Sequence, residues 1–205
     1  KFAGAGNVEE FWSLFLHSQS RPRAIPPERF VVAEDSCIDV KQGFFLSDVF
    51  DFDPKYFRLS AEDAAAMDPQ QRLALMGTVR ALEDSGESPQ ALAGSDAAVV
   101  AATMTRDCSL NAVSRGLAAV SAMTAAGQEP SVLSGRISYF FDLRGESYTL
   151  DAACSGSLVA VGKAVEHTRS SGAPAIVVGV NVMTHPHMFA AECSLGMLSK
   201  DGCCH

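Results

Sequence analysis

Apolar positions along the chain change period several times, and each change marks an expected element. Residues 8–17 carry Phe11, Trp12, Phe15 and Leu16 at helical intervals behind Asn7, a residue suited to N-capping. Ser60-Ala61-Glu62-Asp63 sets a hydroxyl three residues before a carboxylate, a variant of the capping box, and predicts a helix from Ser60. Asp68-Pro69 then restarts a longer helix with proline in its first turn. Leu73, Leu75, Met76, Val79 and Leu82 are its expected apolar face, and Gly86 its expected end. Unbroken apolar runs at 97–101 and 176–180 predict buried strands, 147–152 an extended segment, and 131–141 and 157–169 helices. Residues 21–30 read as a loop punctuated by Pro and Arg, and the aromatic-rich stretch 43–57 as a segment wrapped against a core. Alternating helices and apolar strands predict a layered α/β fold, with no internal repeat and no low-complexity linker.

Composition narrows the function classes. The 205 residues suffice for one sizeable core, and 47% hydrophobic with 20% charged residues is ordinary for a globular chain. A net charge of −8 argues against a nucleic-acid surface and against docking on anionic lipid. No apolar run approaches the roughly 18–20 residues that span a bilayer, and the first residues lack a signal-peptide pattern. A cytoplasmic location is expected. Six cysteines, Cys37, Cys108, Cys154, Cys193, Cys203 and Cys204, are too sparse and irregular for a disulfide framework, so free thiols are expected.

Among these, Cys154 has the context of a nucleophile. Tyr148-Thr149-Leu150-Asp151 leads into Ala152-Ala153-Cys154-Ser155-Gly156, and an amphipathic helix follows. A cysteine on a sharp turn at a helix N-terminus has the geometry of a nucleophile elbow. The small neighbours leave room for a carbonyl to approach, and N–H groups at the helix start, including that of Cys154, are candidate oxyanion donors. Lowering a thiol from about 8.5 to about 7 takes roughly 2 kcal/mol, whereas a helix terminus supplies about 0.3–1 kcal/mol. A basic partner, normally a histidine, is therefore expected nearby. A small buried cysteine at a packed strand–helix junction has the same sequence pattern, so these residues alone leave both interpretations open.

Longer blocks add a resemblance. Asp151-Ala152-Ala153-Cys154-Ser155-Gly156-Ser157-Leu158-Val159-Ala160 resembles the active-site signature of β-ketoacyl synthases, usually D-T-A-C-S-S-S-L-V-A. Met67-Asp68-Pro69-Gln70-Gln71-Arg72, Leu133-Ser134-Gly135-Arg136-Ile137, Gly179-Val180-Asn181 and Met197-Leu198-Ser199-Lys200-Asp201-Gly202 are similar to further blocks of that family, in its order. Their wording resembles type I polyketide synthases, and Thr103-Met104-Thr105-Arg106-Asp107 leans towards fungal reducing ones. The resemblance implies one partial domain over 1–205: the N-terminal half of a thiolase-like layered α/β fold, a mixed sheet with helices on both faces. The family's first strand, expected before Lys1, and its C-terminal half are missing.

The resemblance also implies chemistry. Cys154 takes an acyl chain as a thioester, and a malonyl-derived carbanion attacks it after loss of CO₂, as in polyketide and fatty-acid chain extension. No directly bound cofactor and no metal are implied, because acyl groups arrive on the phosphopantetheine of an acyl carrier protein. The implied partners are that carrier, an acyltransferase and other synthase domains, and a second copy in a homodimer. The family's two catalytic histidines sit in H-G-T-G-T-like and N-x-G-H-like motifs that do not occur here. Condensation by this chain alone is therefore not expected.

Ala152 and Gly156 depart from the usual Thr and Ser, and Gly156 is expected to loosen the helix start. Met67–Arg72 is expected to cap or hold a loop. Thr184-His185-Pro186-His187 is expected to be a solvated loop, and Cys203-Cys204-His205 a non-metal loop. Two other classes compete: a Cys–His hydrolase using His167, His185 or His187, and a non-catalytic structural module. His167 counts against the hydrolase, lying about three turns along the helix from Cys154.

Overall fold

In the computed structural model, which describes residues 1–17, 21–34, 36–116, 118, 120 and 122–203, elements follow the capping and apolar signals closely. In chain order they are α1 (Val8–Leu16), β1 (Arg23–Ala24), β2 (Gln42–Gly43), α2 (Ala61–Ala66), α3 (Pro69–Ser85), α4 (Pro89–Leu92) and β3 (Ala98–Ala102). Then come α5 (Asp107–Ser114), α6 (Ala122–Gln128), α7 (Val132–Phe141), β4 (Ser147–Leu150), α8 (Gly156–Ser171), β5 (Ala175–Gly179) and α9 (Pro186–Ser194). They group into two compact units, Lys1–Val49 with Val182–His205, and Phe50–Asn181.

The larger unit is organised by β3. With no polar side chain in Ala98–Ala102, both faces must be covered, and all five residues are buried. β3 pairs in parallel with β4 on one edge and with β5 on the other. Alternate residues face opposite layers. Val99 and Ala101 pack with Leu75, Leu133, Ile137 and Phe141 of α3 and α7. Val100 and Ala102 pack against Ala160 and Ala164 of α8. Helices thus cover both faces, as expected. This sheet is wholly parallel, and the antiparallel pair β1–β2 forms a separate sheet in the other unit.

Three caps explain where helices start and stop. The Asp63 N–H donates to Ser60 Oγ at 3.0 Å, the Gln70 N–H donates to Asp68 Oδ1 at 2.7 Å, and Gly86 ends α3 with φ of +74°. The buried stripe of α3 differs from the expected one, since it includes Gln70, Gln71, Ala74 and Thr78 beside Leu75 and Leu82. Polar residues enter because they are fully engaged. Gln70 Nε2 donates to the Thr105 carbonyl at 3.1 Å, and its Oε1 accepts from Thr103 Oγ1 at 2.9 Å. Gln71 Nε2 donates to the Ala126 and Glu129 carbonyls, and its Oε1 accepts from Arg136 Nε at 2.8 Å. The Met67–Arg72 block therefore holds two loops, the structural role expected of it.

Helices α4, α5, α6 and α9 have no counterpart in the apolar pattern. They are short, and α6 is held by hydrogen bonds from Gln71 and Arg136 to the Ala126 carbonyl and by close backbone contact at Gly127. The Asp68 N–H donates to the Gly127 carbonyl at 2.7 Å. A Cβ on Gly127 would lie 2.5 Å from the Ala66 carbonyl oxygen, so only glycine fits there.

The smaller unit packs Phe30, Ile38, Val40, Phe45 and Phe189 together. Buried Arg29 crosses it, donating to the Leu46 carbonyl at 2.7 Å and the Met183 carbonyl at 3.1 Å. The aromatic stretch 43–57 divides accordingly. Phe45 belongs to this core, whereas Phe52 stacks on Phe57 at 4.9 Å in the larger unit. Residues 184–187 are not the solvated loop expected. His185 N-caps α9, its Nδ1 accepting from the His187 N–H at 3.1 Å, with Pro186 in the first turn.

Gly127→Ala should lower stability by about 1–3 kcal/mol through overpacking against backbone. Gly77→Ala, in the open middle of α3 with nothing within 4 Å, should raise it by about 0.5–1 kcal/mol. Urea denaturation of the two variants checks the opposite signs. A second test concerns Asp68, whose carboxyl is held above the usual carboxylate range by burial, partly offset by its hydrogen bonds to Gln70. The folded chain binds that proton more tightly than the unfolded chain, so stability is lost as pH rises through the raised value. Asp68→Asn keeps an oxygen for the Gln70 N–H and removes the titration. Denaturation at about pH 4 and about pH 7 should show the variant gaining on the parent at the higher pH.

Candidate active site

Cys154 lies in a single 3-10 turn, Ala153–Ser155, between the end of β4 and the start of α8. The reversal is tight enough to place Ala153 at φ of +48°, a left-handed conformation that disfavours a side chain by roughly 1–2 kcal/mol. Two local bonds support it. Asp151 Oδ1 accepts from the Ala153 N–H at 2.9 Å, an Asx-type turn. The Ala152 carbonyl accepts from both the Ser155 N–H at 3.2 Å and Ser155 Oγ at 2.7 Å. The result is the expected elbow, with the Cys154 side chain exposed rather than packed.

The same bonds narrow the candidate oxyanion donors. The N–H groups of Ala153, Ser155 and Gly156 are taken up within the turn, Gly156 donating to the Ala153 carbonyl. Of the group, that leaves the Cys154 N–H as the candidate donor.

Gly156 is placed inside the helix. It is the first residue of α8, in right-handed geometry at φ of −51°, and is buried. Gly156, Ala160 and Ala164 recur every four residues and are the buried residues of α8. A stripe so small lets the helix lie close on β3, which fixes the base of the elbow. Neither this contact nor the turn bonds of Asp151 were read from the sequence. The Asp two residues before Ala153 is the available signal for the latter.

The basic partner is not beside Cys154 within this unit. His167 is the histidine of residues 50–181, and its Nδ1 lies 4.0 Å from the Glu146 carboxylate, just before β4 begins. Cys154 follows the other end of β4. The Nε2 of His167 is buried and has no hydrogen-bond partner. The arrangement removes the sequence basis for a hydrolase built on His167. His185 and His187 belong to the other unit.

The remaining thiols have different surroundings. Burial, reinforced by the Asp68 carboxylate, pushes the Cys108 thiol up to about 11, against the opposing pull of Arg72. Cys193 packs against the core of the smaller unit, and Cys37 is exposed. Cys203 lines a cavity of about 540 Å³ with Val40, Phe189, Met197 and Leu198. Cys204 and His205 lie outside the described residues. Among the described residues no group of three or more His, Cys, Asp or Glu side chains could hold a metal ion. None of their helices is long and apolar enough to cross a membrane.

A strand, a tight turn carrying an exposed cysteine, and a helix seated on a parallel sheet define the N-terminal part of a condensing-enzyme fold. The chain belongs to the β-ketoacyl synthase family, matching its N-terminal domain over residues 1–205. It is 39% identical to the highly reducing polyketide synthase ltbA of Aspergillus luteorubrus over 97% of its own length, which is 6% of that protein. It is 44% identical to the cyclo-acetoacetyl-L-tryptophan synthase of Aspergillus oryzae over 77% of its length, 4% of that protein. Among solved structures, an oxazolomycin ketosynthase domain from Streptomyces albus JA3453 superposes with a TM-score of 0.87 at 31% identity, covering 98% of this chain and 36% of the other. A ketosynthase from module 6 of the bacillaene synthase of Bacillus subtilis 168 gives 0.85 at 29%, covering 98% and 34%. The fold is thus thiolase-like. The chain spans about a third of these ketosynthase structures and under a tenth of the two curated relatives.

Iodoacetamide near neutral pH, followed by peptide mass mapping, should label exposed Cys154 well before Cys108. At about 11 the Cys108 thiol holds orders of magnitude less thiolate than an ordinary free cysteine, and it is partly buried besides. Equal labelling of the two would contradict these environments.

Proposed function

We propose that this chain provides the acyl-accepting part of a polyketide synthase condensing site, with Cys154 carrying the chain as a thioester. The observation that carries the proposal is the exposed thiol on a strained strand-to-helix turn, inside the segment Asp151-Ala152-Ala153-Cys154-Ser155 that resembles the family's active-site signature.

The chemistry has two parts. In the first, the Cys154 sulfur attacks the carbonyl carbon of an acyl thioester held on the phosphopantetheine arm of a carrier protein. The tetrahedral oxyanion accepts a hydrogen bond from the Cys154 N–H, the carrier's C–S bond breaks, and the carrier thiol leaves with the proton. In the second, a malonyl thioester loses CO₂ by breaking its carboxylate C–C bond. The resulting carbanion attacks the Cys154 thioester, and Cys154 departs as thiolate while a β-ketoacyl product forms. An acyltransferase would load the malonyl group, and a homodimer is the proposed assembly.

Decarboxylation needs groups beyond those around Cys154. His167 sits against Glu146, so the hydrogen-bond donors that would steady the enolate formed on loss of CO₂ are proposed to come from the portion of a ketosynthase domain that this chain does not span. The same observation favours a second reading, in which the chain alone accepts an acyl group without turning it over.

Incubation with a short acyl-carrier thioester, followed by intact-mass measurement, should give one acyl adduct that Cys154→Ala abolishes. An adduct surviving in Cys154→Ala, or none on a folded chain whose Cys154 still alkylates, would overturn the assignment.

A further inference from the structure

The first turn of α8 rests on a single row of the sheet. Leu150, Ala102 and Gly179 are register partners across β4, β3 and β5, so their side-chain positions share one face. The row steps down in size from leucine to alanine to glycine beneath the helix that begins just after Cys154. A Cβ on Gly156 would lie 3.2 Å from Ala102 Cβ and 4.0 Å from Leu150 Cδ1. A Cβ on Gly179 would run into the Ser157 hydroxyl. A Cβ on Gly156 would thus require Ala102 or the helix to give by a few tenths of an ångström, and one on Gly179 would displace Ser157.

Which partner yields to an added methyl is decided by the surroundings. Ala102 belongs to the central strand and is 4% exposed. Its carbonyl accepts from the Val180 N–H at 3.0 Å, and the next residue's N–H donates to the Leu150 carbonyl at 3.2 Å. The strand is pinned on both edges. Of the two partners Ala102 is therefore the fixed one. Any added volume moves the helix, and the Gly156 N–H bond to the Ala153 carbonyl carries that movement straight into the turn holding Cys154.

We propose that Ala102 and Gly156 form a size-matched pair that positions the Cys154 elbow for acyl transfer. Gly156 is a positioning residue, and the glycine that departs from the family's usual serine is matched to the alanine beneath it. The inference rests on the proposed role of Cys154, and its test separates the two. Gly156→Ser should lower the single-turnover rate of acylation from a butyryl thioester of N-acetylcysteamine about tenfold, since small misplacements cost large factors in oriented reactions. The half-saturating thioester concentration and the alkylation of Cys154 by iodoacetamide should stay unchanged. Adding Ala102→Gly to Gly156→Ser should restore the rate to within about twofold of the parent, a coupling expected only of residues in contact.

An unchanged rate in Gly156→Ser, or no recovery in the double variant, would overturn the pairing. Should the parent form no acyl adduct, the role of Cys154 fails and the pair is judged by denaturation. Stability of the double variant above the sum of the two single effects supports it, and additivity overturns it. Should Gly156→Ser not fold, recovery of a cooperative transition in the double variant decides the same question.

Discussion

Everything in the larger unit is referred to β3. Its five residues exclude water on both faces, and both of its hydrogen-bond ladders are filled by parallel neighbours. Burying Val99 and Val100 alone is worth roughly 1.5–3 kcal/mol each. The strand tolerates no displacement, so neighbouring elements adapt to it. On one side α3 and α7 supply large side chains such as Leu75, Leu133 and Ile137. On the other, α8 supplies glycine and alanine and lies close. The difference in size sets the thickness of each layer and leaves the Cys154 turn where β4 ends and α8 begins.

A second constraint is polar. Asp68, Gln70 and Gln71 are buried at the start of α3; the Asp68 carboxylate accepts from Gln70, Gln70 bonds the loop after β3, and Gln71 donates to the end of α6. A buried polar group without partners would be costly, and here the same bonds that remove the cost fix two irregular segments. Arg136 joins the network through Gln71 and the Ala126 carbonyl, and its guanidinium is shifted down by burial. The network explains why so polar a motif sits in a core without doing chemistry.

At the site, backbone geometry does most of the preparation. Asp151 and the Ala152 carbonyl hold a left-handed turn that presents the thiol outward, and β3 beneath Gly156 sets where that turn sits. Acid–base assistance is a separate matter. The histidine that shares α8 is directed to Glu146, away from the sulfur.

Local signals were sufficient for much of this. Ser60, Asp68 and Gly86 announced the bounds of α2 and α3, because capping depends on residues within one turn. The apolar runs of β3 and β5 and the small-residue turn at Cys154 were legible for the same reason, and the family blocks gave the fold around them. The burial of Gln70 and Gln71, the helix begun by His185 and Pro186, the close approach of α6 at Gly127 and the orientation of His167 were not legible. Three of these depend on a partner far away in sequence, Gln70 on Thr103, Gly127 on Ala66 and His167 on Glu146, whereas the α9 cap is local but made by a histidine, outside the usual capping residues. The sequence by itself determined which residue is the nucleophile candidate and what turn carries it, because those are properties of consecutive residues. Only the tertiary structure decided what lies beneath and beside that turn, because packing against Ala102 and the placement of a histidine are set by how the strands register in the sheet.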